Sequence, residues 1–195
     1  MSIPLHSDVY PAIDYAITAG TLKGKLAVIA GGSRGIGQQI AHCLAKTGAS
    51  IAILSLSGNN TETKELCEKE GVKVGSWKVD ITDEKETERV FGEIVVEMGQ
   101  VDVLVNNAAT QRRRPYAMDN VVDWWRVLEI NLKGVTILIT WICIWTSAHS
   151  SLCVLFSRFC RVCENGIQDV LLILDHGQGP LTHLLQRRIS HQRPL

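Results

Sequence analysis

Between residues 25 and 109 the chain alternates short apolar runs with polar, helix-like segments, and this alternation constrains its fold more than any other feature. The apolar runs predict buried strands, and the segments between them predict helices that stop near glycines. The predicted strands are residues 25–30, 50–55, 72–80 and 101–109, and the predicted helices are residues 36–49, 61–71 and 83–99. Such alternation indicates βαβ units and a parallel sheet with helices on both faces. We therefore predict a doubly wound α/β fold that binds ligands at the carboxyl ends of its strands.

The turn after the first predicted strand, "AGGSRGIG" at residues 30–37, is rich in glycine and opens directly into a helix. Gly31 would permit the sharp turn, Gly35 would let a pyrophosphate approach the backbone, and Gly37 would let the helix pack closely on the strand. The N-terminus of the helix adds N–H groups and the positive end of a dipole. This context predicts a dinucleotide site whose pyrophosphate contacts are Gly31, Ser33, Arg34, Gly35, Ile36 and Gly37.

Four motifs within residues 23–134 resemble, in order, those of the short-chain dehydrogenase/reductase family. The glycine-rich turn is similar to the family's T-G-x-x-x-G-x-G, with Ala30 in place of the threonine. Asp80 in "VDIT" resembles the acidic residue after the third strand, and "NNAA" at residues 106–109 resembles the N-N-A-G after the fourth. Asn131 in "EINLKG" resembles the asparagine that this family carries on its active-site helix.

The resemblance implies a Rossmann-like domain over residues 23–134 and an NAD(P)-dependent oxidoreductase that acts on a small carbonyl or alcohol. It places Asp80 and Ile81 beside the adenine and Asn107 and Ala108 beside the ribose. It also gives Asn131 a catalytic role in a proton relay. The substrate itself is not named by these residues, so we expect only that it is a small molecule.

The end of the second predicted strand bears on the choice of dinucleotide. An acidic residue there would bond the ribose 2′-hydroxyl of NAD and repel the 2′-phosphate of NADP. The chain has Ser55 at that place, and its next acid is Glu62. Arg34 resembles the basic residue that NADP-preferring members carry in the glycine-rich turn, and a guanidinium can bind a phosphate through two hydrogen bonds. The sequence therefore favours NADP(H) over NAD(H).

The composition changes after Gly134. Residues 1–134 contain all nine lysines and twelve of the thirteen alanines, whereas residues 135–195 contain no Lys and no Tyr. The resemblance requires a Tyr with a Lys four residues later, together with a substrate-binding Ser, but the last Tyr is Tyr116 and the last Lys is Lys133. We interpret residues 135–195 as a divergent tail, such as a frameshifted or mis-spliced remainder of the domain, and expect the fold to be incomplete or aberrant there. Catalysis should be impaired; the alternative is a non-catalytic dinucleotide-binding or interaction protein.

Two helices show apolar stripes. In residues 36–49 the spacing predicts an inward face at Ile36, Ile40, Cys43 and Leu44. In a longer helix over residues 119–139, one stripe is formed by Trp125, Leu128, Leu132, Val135 and Ile139. That stripe suits either the sheet or a partner helix, so the helix could also support a homo-oligomer.

Other features narrow the possible partners and location. The chain has 20 basic and 20 acidic residues, so it gives no reason to expect nucleic acid, and the basic triplet in "QRRRP" (111–115) has no basic surroundings. Residues 134–157 carry no charge, but their Thr, Ser and His content makes a membrane span a poor interpretation.

The N-terminus and the cysteines favour a cytoplasmic protein without a metal. Residues 1–22 show no clear period and contain two prolines, which predicts an irregular arm and not a secretory signal. Six cysteines without a signal are typical of reduced thiols. Cys160 and Cys163 have no second pair at zinc spacing, so we predict no metal site.

Overall fold

The structure is a computed structural model that describes residues 15–111, 120–145, 152–158 and 169–175, the last two segments by their backbone alone. Its strands are β1 (Leu26–Ala30), β2 (Ser50–Ser55), β3 (Val74–Lys78), β4 (Val103–Asn106), β5 (Leu152–Arg158) and β6 (Asp169–Asp175). Its helices are α1 (Tyr15–Thr18), α2 (Gly35–Lys46), α3 (Thr61–Glu68), α4 (Glu84–Met98), α5 (Val121–Leu128) and α6 (Val135–Trp145), and a π-helical turn (Glu129–Gly134) joins the last two. Within the predicted arm, α1 adds one helical turn, and residues 1–14 lie outside the described part.

The six strands form one sheet in the order β3-β2-β1-β4-β5-β6. The first four strands along the chain pair in parallel, with Val28 of β1 opposite Ala52 of β2 on one side and Leu104 of β4 on the other. The prediction of a doubly wound parallel sheet is therefore confirmed. The chain moves outward from β1 to β3 and then returns to β4 on the other side of β1. Ligands of open α/β sheets bind at such a reversal of strand order.

Helices cover both faces of the sheet, and its central strands are mostly apolar. On one face the core contains Ala27, Ile29, Ala41, Ala45, Ala49, Ile51, Ile53, Cys67, Val103 and Val105. On the other face, under α4 and α6, the core contains Leu26, Val28, Leu54, Val79, Val90, Phe91, Ile94, Leu104, Leu138 and Ile142. All five residues of β1 are buried, as expected for a central strand covered on both faces.

The inward face of α2 differs in part from the prediction, because Ile40 and Leu44 are only partly buried against the core. Gly37, Gln38, Ala41 and Ala45 are its buried residues, whereas Ile36 is 50% exposed. Gly37, Ala41 and Ala45 are small, which lets the helix lie close to the sheet. Larger side chains on this face would hold the helix further away.

The predicted long helix is interrupted by the π-helical turn, and this breaks its predicted apolar stripe. Trp125 is 58% exposed and Leu132 is 55% exposed, whereas Val135 and Leu138 are buried. A π-helical turn is wider than an α-helical one, so it changes the rotational phase between α5 and α6. Five side chains that a straight helix would align therefore do not share one face.

Residues 121–145 are also long and apolar enough to cross a membrane, with a mean hydropathy of 1.7 over their most apolar window. This criterion is weak for one helix, because core helices of globular proteins also meet it. Here Val135, Leu138 and Ile142 of α6 are buried in the core on the sheet.

Within residues 135–195 the structure describes one helix and two strands, and the boundary predicted at residue 134 falls inside the helical segment 121–145. Residues 135–145 form α6, which packs against α4 and β4 because its side chains are apolar. Further along, β5 pairs in parallel with β4, and β6 pairs antiparallel with β5. The sequence pattern did not locate these two strands.

Candidate active site

Two glycines of the turn after β1 are required by close contacts within the protein. Gly31 has a positive φ of 76°, and a Cβ there would lie 2.7 Å from the Cα of Ala108. A Cβ on Gly37 would collide with the carbonyl oxygen of Gly31 and would lie 2.5 Å from Nδ2 of Asn107. Gly37 therefore allows α2 to approach this turn and the loop after β4, a more specific role than the helix–strand contact expected from the sequence.

Gly35 faces open space instead. Its φ is 58°, and a Cβ built on it would have no heavy atom within 4 Å. It is the first residue of α2, preceded by Arg34 in an extended conformation, and no side chain caps the helix. Arg34 and Ile36 are exposed beside it, and Ser33 is half-buried. This leaves backbone N–H groups and a positive dipole end at an uncrowded surface, which is an arrangement that accommodates a phosphate.

The loop after β4 is fastened to the same turn. The side-chain amide of Asn107 donates to the carbonyl oxygen of Gly31 over 2.9 Å, and its backbone N–H donates to Ala30 over 3.2 Å. Ala108 lies half-buried against the core. The structure thus brings together the residues predicted at the pyrophosphate and those predicted at the ribose.

Asn131 lies on the π-helical turn, and both ends of its side-chain amide are engaged. Its Oδ1 accepts from the backbone N–H of Thr110 over 2.9 Å, and its Nδ2 donates to the carbonyl oxygen of Thr110 over 3.0 Å. The predicted catalytic asparagine therefore fixes the loop after β4 to the helix behind it. Thr110 was not singled out in the sequence, because nothing in the pattern marks a backbone partner.

Asp80 is engaged on both carboxylate oxygens. One accepts from the backbone N–H and hydroxyl of Thr82, at 3.0 and 2.7 Å, and the other accepts from the Arg126 guanidinium at 2.7 Å. Burial by itself would raise the pKa of Asp80, but the Thr82 hydrogen bonds and Arg126 outweigh it and hold the pKa below its ordinary value. Arg126 also donates to Glu129 over 3.0 Å. Asp80 thus joins the loop after β3 to α5.

Ile81, predicted beside the adenine, is only 7% exposed. Its side chain packs against Gly134, where an added Cβ would lie 2.7 Å from Cγ1 of Ile81. Ile81 could therefore offer a ligand its backbone and not its side chain. Arg126 was missed by the sequence reasoning, although a charged residue five positions before Asn131 in an apolar helix was a usable signal.

At the end of β2, the hydroxyl of Ser55 points into the protein. It donates to Oδ1 of Asn60 over 2.8 Å and accepts from the backbone N–H of Gly58 over 3.1 Å. Nearby, Thr63 and Gln38 form a second buried pair that contacts the glycine-rich turn. The place where NAD-binding folds carry an acid is therefore neutral and hydrogen-bonded internally.

No group of three or more His, Cys, Asp or Glu residues that could hold a metal ion occurs in the part of the chain that the structure describes. Cys67 is buried, and burial followed by repulsion from Glu70 and Glu68 raises its pKa to about 11, so it is an unreactive thiol. Cys160, Cys163 and the arginines of "QRRRP" lie outside the described residues.

The family model for short chain dehydrogenases matches residues 25–144. The chain belongs to the short-chain dehydrogenase family. It is 40% identical to the uncharacterized oxidoreductase YgcW of Escherichia coli over 114 residues. This alignment covers 58% of this chain and 44% of that protein. It is 35% identical over 121 residues to the 3-oxoacyl-[acyl-carrier-protein] reductase FabG of Aquifex aeolicus, over 61% of this chain and 48% of the relative.

Its fold is also that of solved short-chain dehydrogenases. A double mutant of a short-chain dehydrogenase/reductase from Serratia marcescens superposes with a TM-score of 0.61 at 28% identity, covering 64% of this chain and 52% of the other. The chain thus spans about half the length of the relatives it matches. The two relatives are named as an oxidoreductase and a reductase, and the family implies a nicotinamide dinucleotide, which would supply or accept a hydride when bound. The open space at Gly35 and the uncapped first turn of α2 fit the pyrophosphate of that cofactor.

Proposed function

We propose that this short-chain dehydrogenase binds NADP(H) at the turn between β1 and α2, and that its reaction is the reduction or oxidation of a small carbonyl or alcohol. The observation that carries the proposal is Gly35, which combines a positive φ with open space at the N-terminus of α2. Gly31 and Asn107 fix the turn to the loop after β4, so the two halves of the site are already held together in the protein.

The preference for NADP(H) rests on charge. Arg34 is exposed beside the turn, and within the described residues its guanidinium has no ion-pair partner. Ser55 is neutral, so a 2′-phosphate would meet no carboxylate at the end of β2. A guanidinium binds a phosphate dianion through charge-assisted hydrogen bonds, which are stronger than those to a neutral hydroxyl.

Titration of the purified chain with NADPH and NADH tests this proposal. We expect NADPH to bind about tenfold or more tightly than NADH, because one charge-assisted contact is worth roughly 1.5–3 kcal/mol. The R34Q variant should lose that preference, whereas R89Q, which changes an exposed arginine of α4, should keep it. Tighter binding of NADH by the unmodified chain would contradict the preference, and binding of neither would contradict the proposal.

We also propose that catalysis by this chain is impaired. The chain has no Tyr after Tyr116 and no Lys after Lys133, so the family's proton donor and the lysine that acidifies it have no counterpart in residues 135–195. Asn131 has no acidic proton, and its amide is bound to Thr110. Loss of a positioned general acid typically costs about 10²–10⁴-fold in rate.

A non-catalytic dinucleotide-binding protein is the second candidate, and the absence of Tyr and Lys after Lys133 favours it. The two candidates differ in turnover. NADPH oxidation followed at 340 nm with a panel of ketones and quinones should be slow but measurable for an impaired enzyme. It should equal the protein-free rate for a binding protein. Turnover near ~10 s⁻¹, typical of enzymes, would contradict both.

We expect exposed apolar residues of the helical segment 121–145 to contact a second copy of the chain. Its large exposed apolar residues are Val121, Val122, Trp125, Leu132, Ile144 and Trp145. We expect a dimer by sedimentation analysis, and W125D should weaken it because a charge would enter an apolar contact. V96D changes an equally apolar exposed site on α4 and should leave the dimer intact. A monomeric unmodified chain would contradict this expectation.

A further inference from the structure

Buried polar side chains at the start of α3 contact both the glycine-rich turn and the end of β2. The hydroxyl of Thr63, on α3, donates to the carbonyl oxygen of Ser33 over 3.1 Å and accepts from Nε2 of Gln38 over 3.2 Å. Thr63 is completely buried, and Gln38 is 9% exposed. The Gln38–Thr63 hydrogen bond is buried and the Thr63–Ser33 hydrogen bond is partly buried, so leaving a partner unpaired is costly.

The same helix is tied to the end of β2. Asn60 precedes the first residue of α3, and it is 2% exposed and accepts from the Ser55 hydroxyl over 2.8 Å. Thr63 and Asn60 thus join Ser33 on the turn to Ser55 on the strand. In dinucleotide-binding folds, residues of the glycine-rich turn and of the end of the second strand select between a 2′-hydroxyl and a 2′-phosphate.

The geometry points to Thr63 as a positioning residue for dinucleotide choice: its hydroxyl holds Ser33, and so places the adjoining Arg34 where it can bind a 2′-phosphate. This inference rests on the proposed NADP(H) binding. Arg34 is exposed, and its carbonyl oxygen accepts from the backbone N–H of Gln38 over 3.4 Å. Its neighbour Ser33 is held by Thr63, so the backbone on both sides of the Arg34 Cα is attached to one buried network.

A residue that positions Arg34 must affect ligands with a 2′-phosphate more than ligands without one. Thr63→Val keeps the shape of the side chain but removes the hydroxyl, which frees the Ser33 carbonyl. Thr63→Ser keeps the hydroxyl and serves as the rescuing variant. The ligands are NADPH and NADH, together with 2′,5′-ADP and 5′-AMP, which isolate the adenosine end and do not depend on any catalytic group.

We expect T63V to weaken NADPH and 2′,5′-ADP by about tenfold, because a mispositioned guanidinium loses one charge-assisted contact. NADH and 5′-AMP should change by no more than about twofold. T63S should bind all four ligands like the unmodified chain. On an R34Q background, T63V should cause no further loss for 2′,5′-ADP, because residues that act through one contact are not additive.

Three outcomes would overturn the inference. Equal weakening of all four ligands by T63V would show a general structural role, and an unchanged preference for NADPH would show that Thr63 does not act on Arg34. In both cases NADPH binding by the unmodified chain leaves the proposed function standing. Binding of neither dinucleotide by the unmodified chain would remove the proposed function and this inference together. If T63V does not fold, T63A, which also removes the hydroxyl but places no methyl group against the Ser33 carbonyl, must show the same selective loss.

Discussion

Asn131 and Thr110 are joined by two hydrogen bonds, one from each end of the asparagine amide, at 2.9 and 3.0 Å. The pair fixes the loop after β4 to the π-helical turn between α5 and α6. Asn107, three residues before Thr110, binds the glycine-rich turn from the other end of the loop. The loop therefore connects the place where a dinucleotide would bind to the helix where the family carries a catalytic asparagine.

Replacing Asn131 with alanine should destabilise the protein by roughly 1–3 kcal/mol, because it leaves the backbone N–H and C=O of Thr110 without their partners. Urea unfolding measures the loss. L132A is the matched control, because Leu132 is the next residue and is 55% exposed. Equal stability of the two variants would show that the double hydrogen bond contributes little.

The Asp80–Arg126 pair should make stability depend on pH. The folded-state pKa of Asp80 is lowered, so its contribution is present above the unfolded carboxyl value of about 3.9 and is lost as pH falls through the folded pKa. At pH 7, D80N should be less stable than the unmodified chain by about 1 kcal/mol, since the pair is partly exposed. This difference should stay constant from pH 6 to 8 and shrink in acid. A difference in unfolding free energy that grew on acidification would contradict the assignment.

A comparison of G35A with G71A separates the effect of a methyl group on NADPH binding from its effect on backbone strain. Both glycines have positive φ, at 58° and 76°, and neither would place a Cβ within 4 Å of another heavy atom. Alanine at either site should cost roughly 1 kcal/mol of stability, because L-residues are strained in this conformation. Only G35A should also weaken NADPH, by about tenfold or more, since its methyl group enters the space proposed for the pyrophosphate. Equal NADPH affinity of G35A and G71A would contradict that placement.

Alanine at Gly92 should stabilise the protein, whereas alanine at Gly134 should destabilise it. A Cβ at Gly92 in α4 would make ordinary contacts with Trp145 at 3.7 Å, so G92A should stabilise the protein by about 0.5–1 kcal/mol through helix propensity. A Cβ at Gly134 would stand 2.7 Å from Cγ1 of the buried Ile81, so G134A should be destabilising by about 1–3 kcal/mol. Thermal unfolding compares the two, and a stabilising G134A would show that the Ile81 contact relaxes easily.

The sequence predicted the first four strands, their parallel order and the glycine-rich turn because these follow from local patterns. Runs such as "LAVIA" are short and apolar throughout, and such a run between turn signals is typical of a strand buried on both faces. The sharp turn predicted at Gly31 has the positive φ that glycine tolerates.

Other features depend on contacts that a one-dimensional pattern does not contain. The centre of the inward face of α2 is formed by small residues such as Ala41, whereas Ile40 and Leu44 are only partly buried against the core, so apolar spacing located that face in part. The π-helical turn broke the predicted stripe at Leu132. The ion pair of Asp80 has its partner, Arg126, 46 residues away in the sequence. Strands β5 and β6 were missed because the apolar pattern weakens after Gly134.

Hydrogen–deuterium exchange with and without NADPH tests most directly whether the dinucleotide lies on the glycine-rich turn. Saturating NADPH should slow amide exchange in residues 31–38 and 106–110, which Asn107 links together. Exchange in β3, at the far end of the sheet order, should be unchanged. NADPH binding that saturates without slowing exchange in residues 31–38 would place the dinucleotide elsewhere and contradict the account.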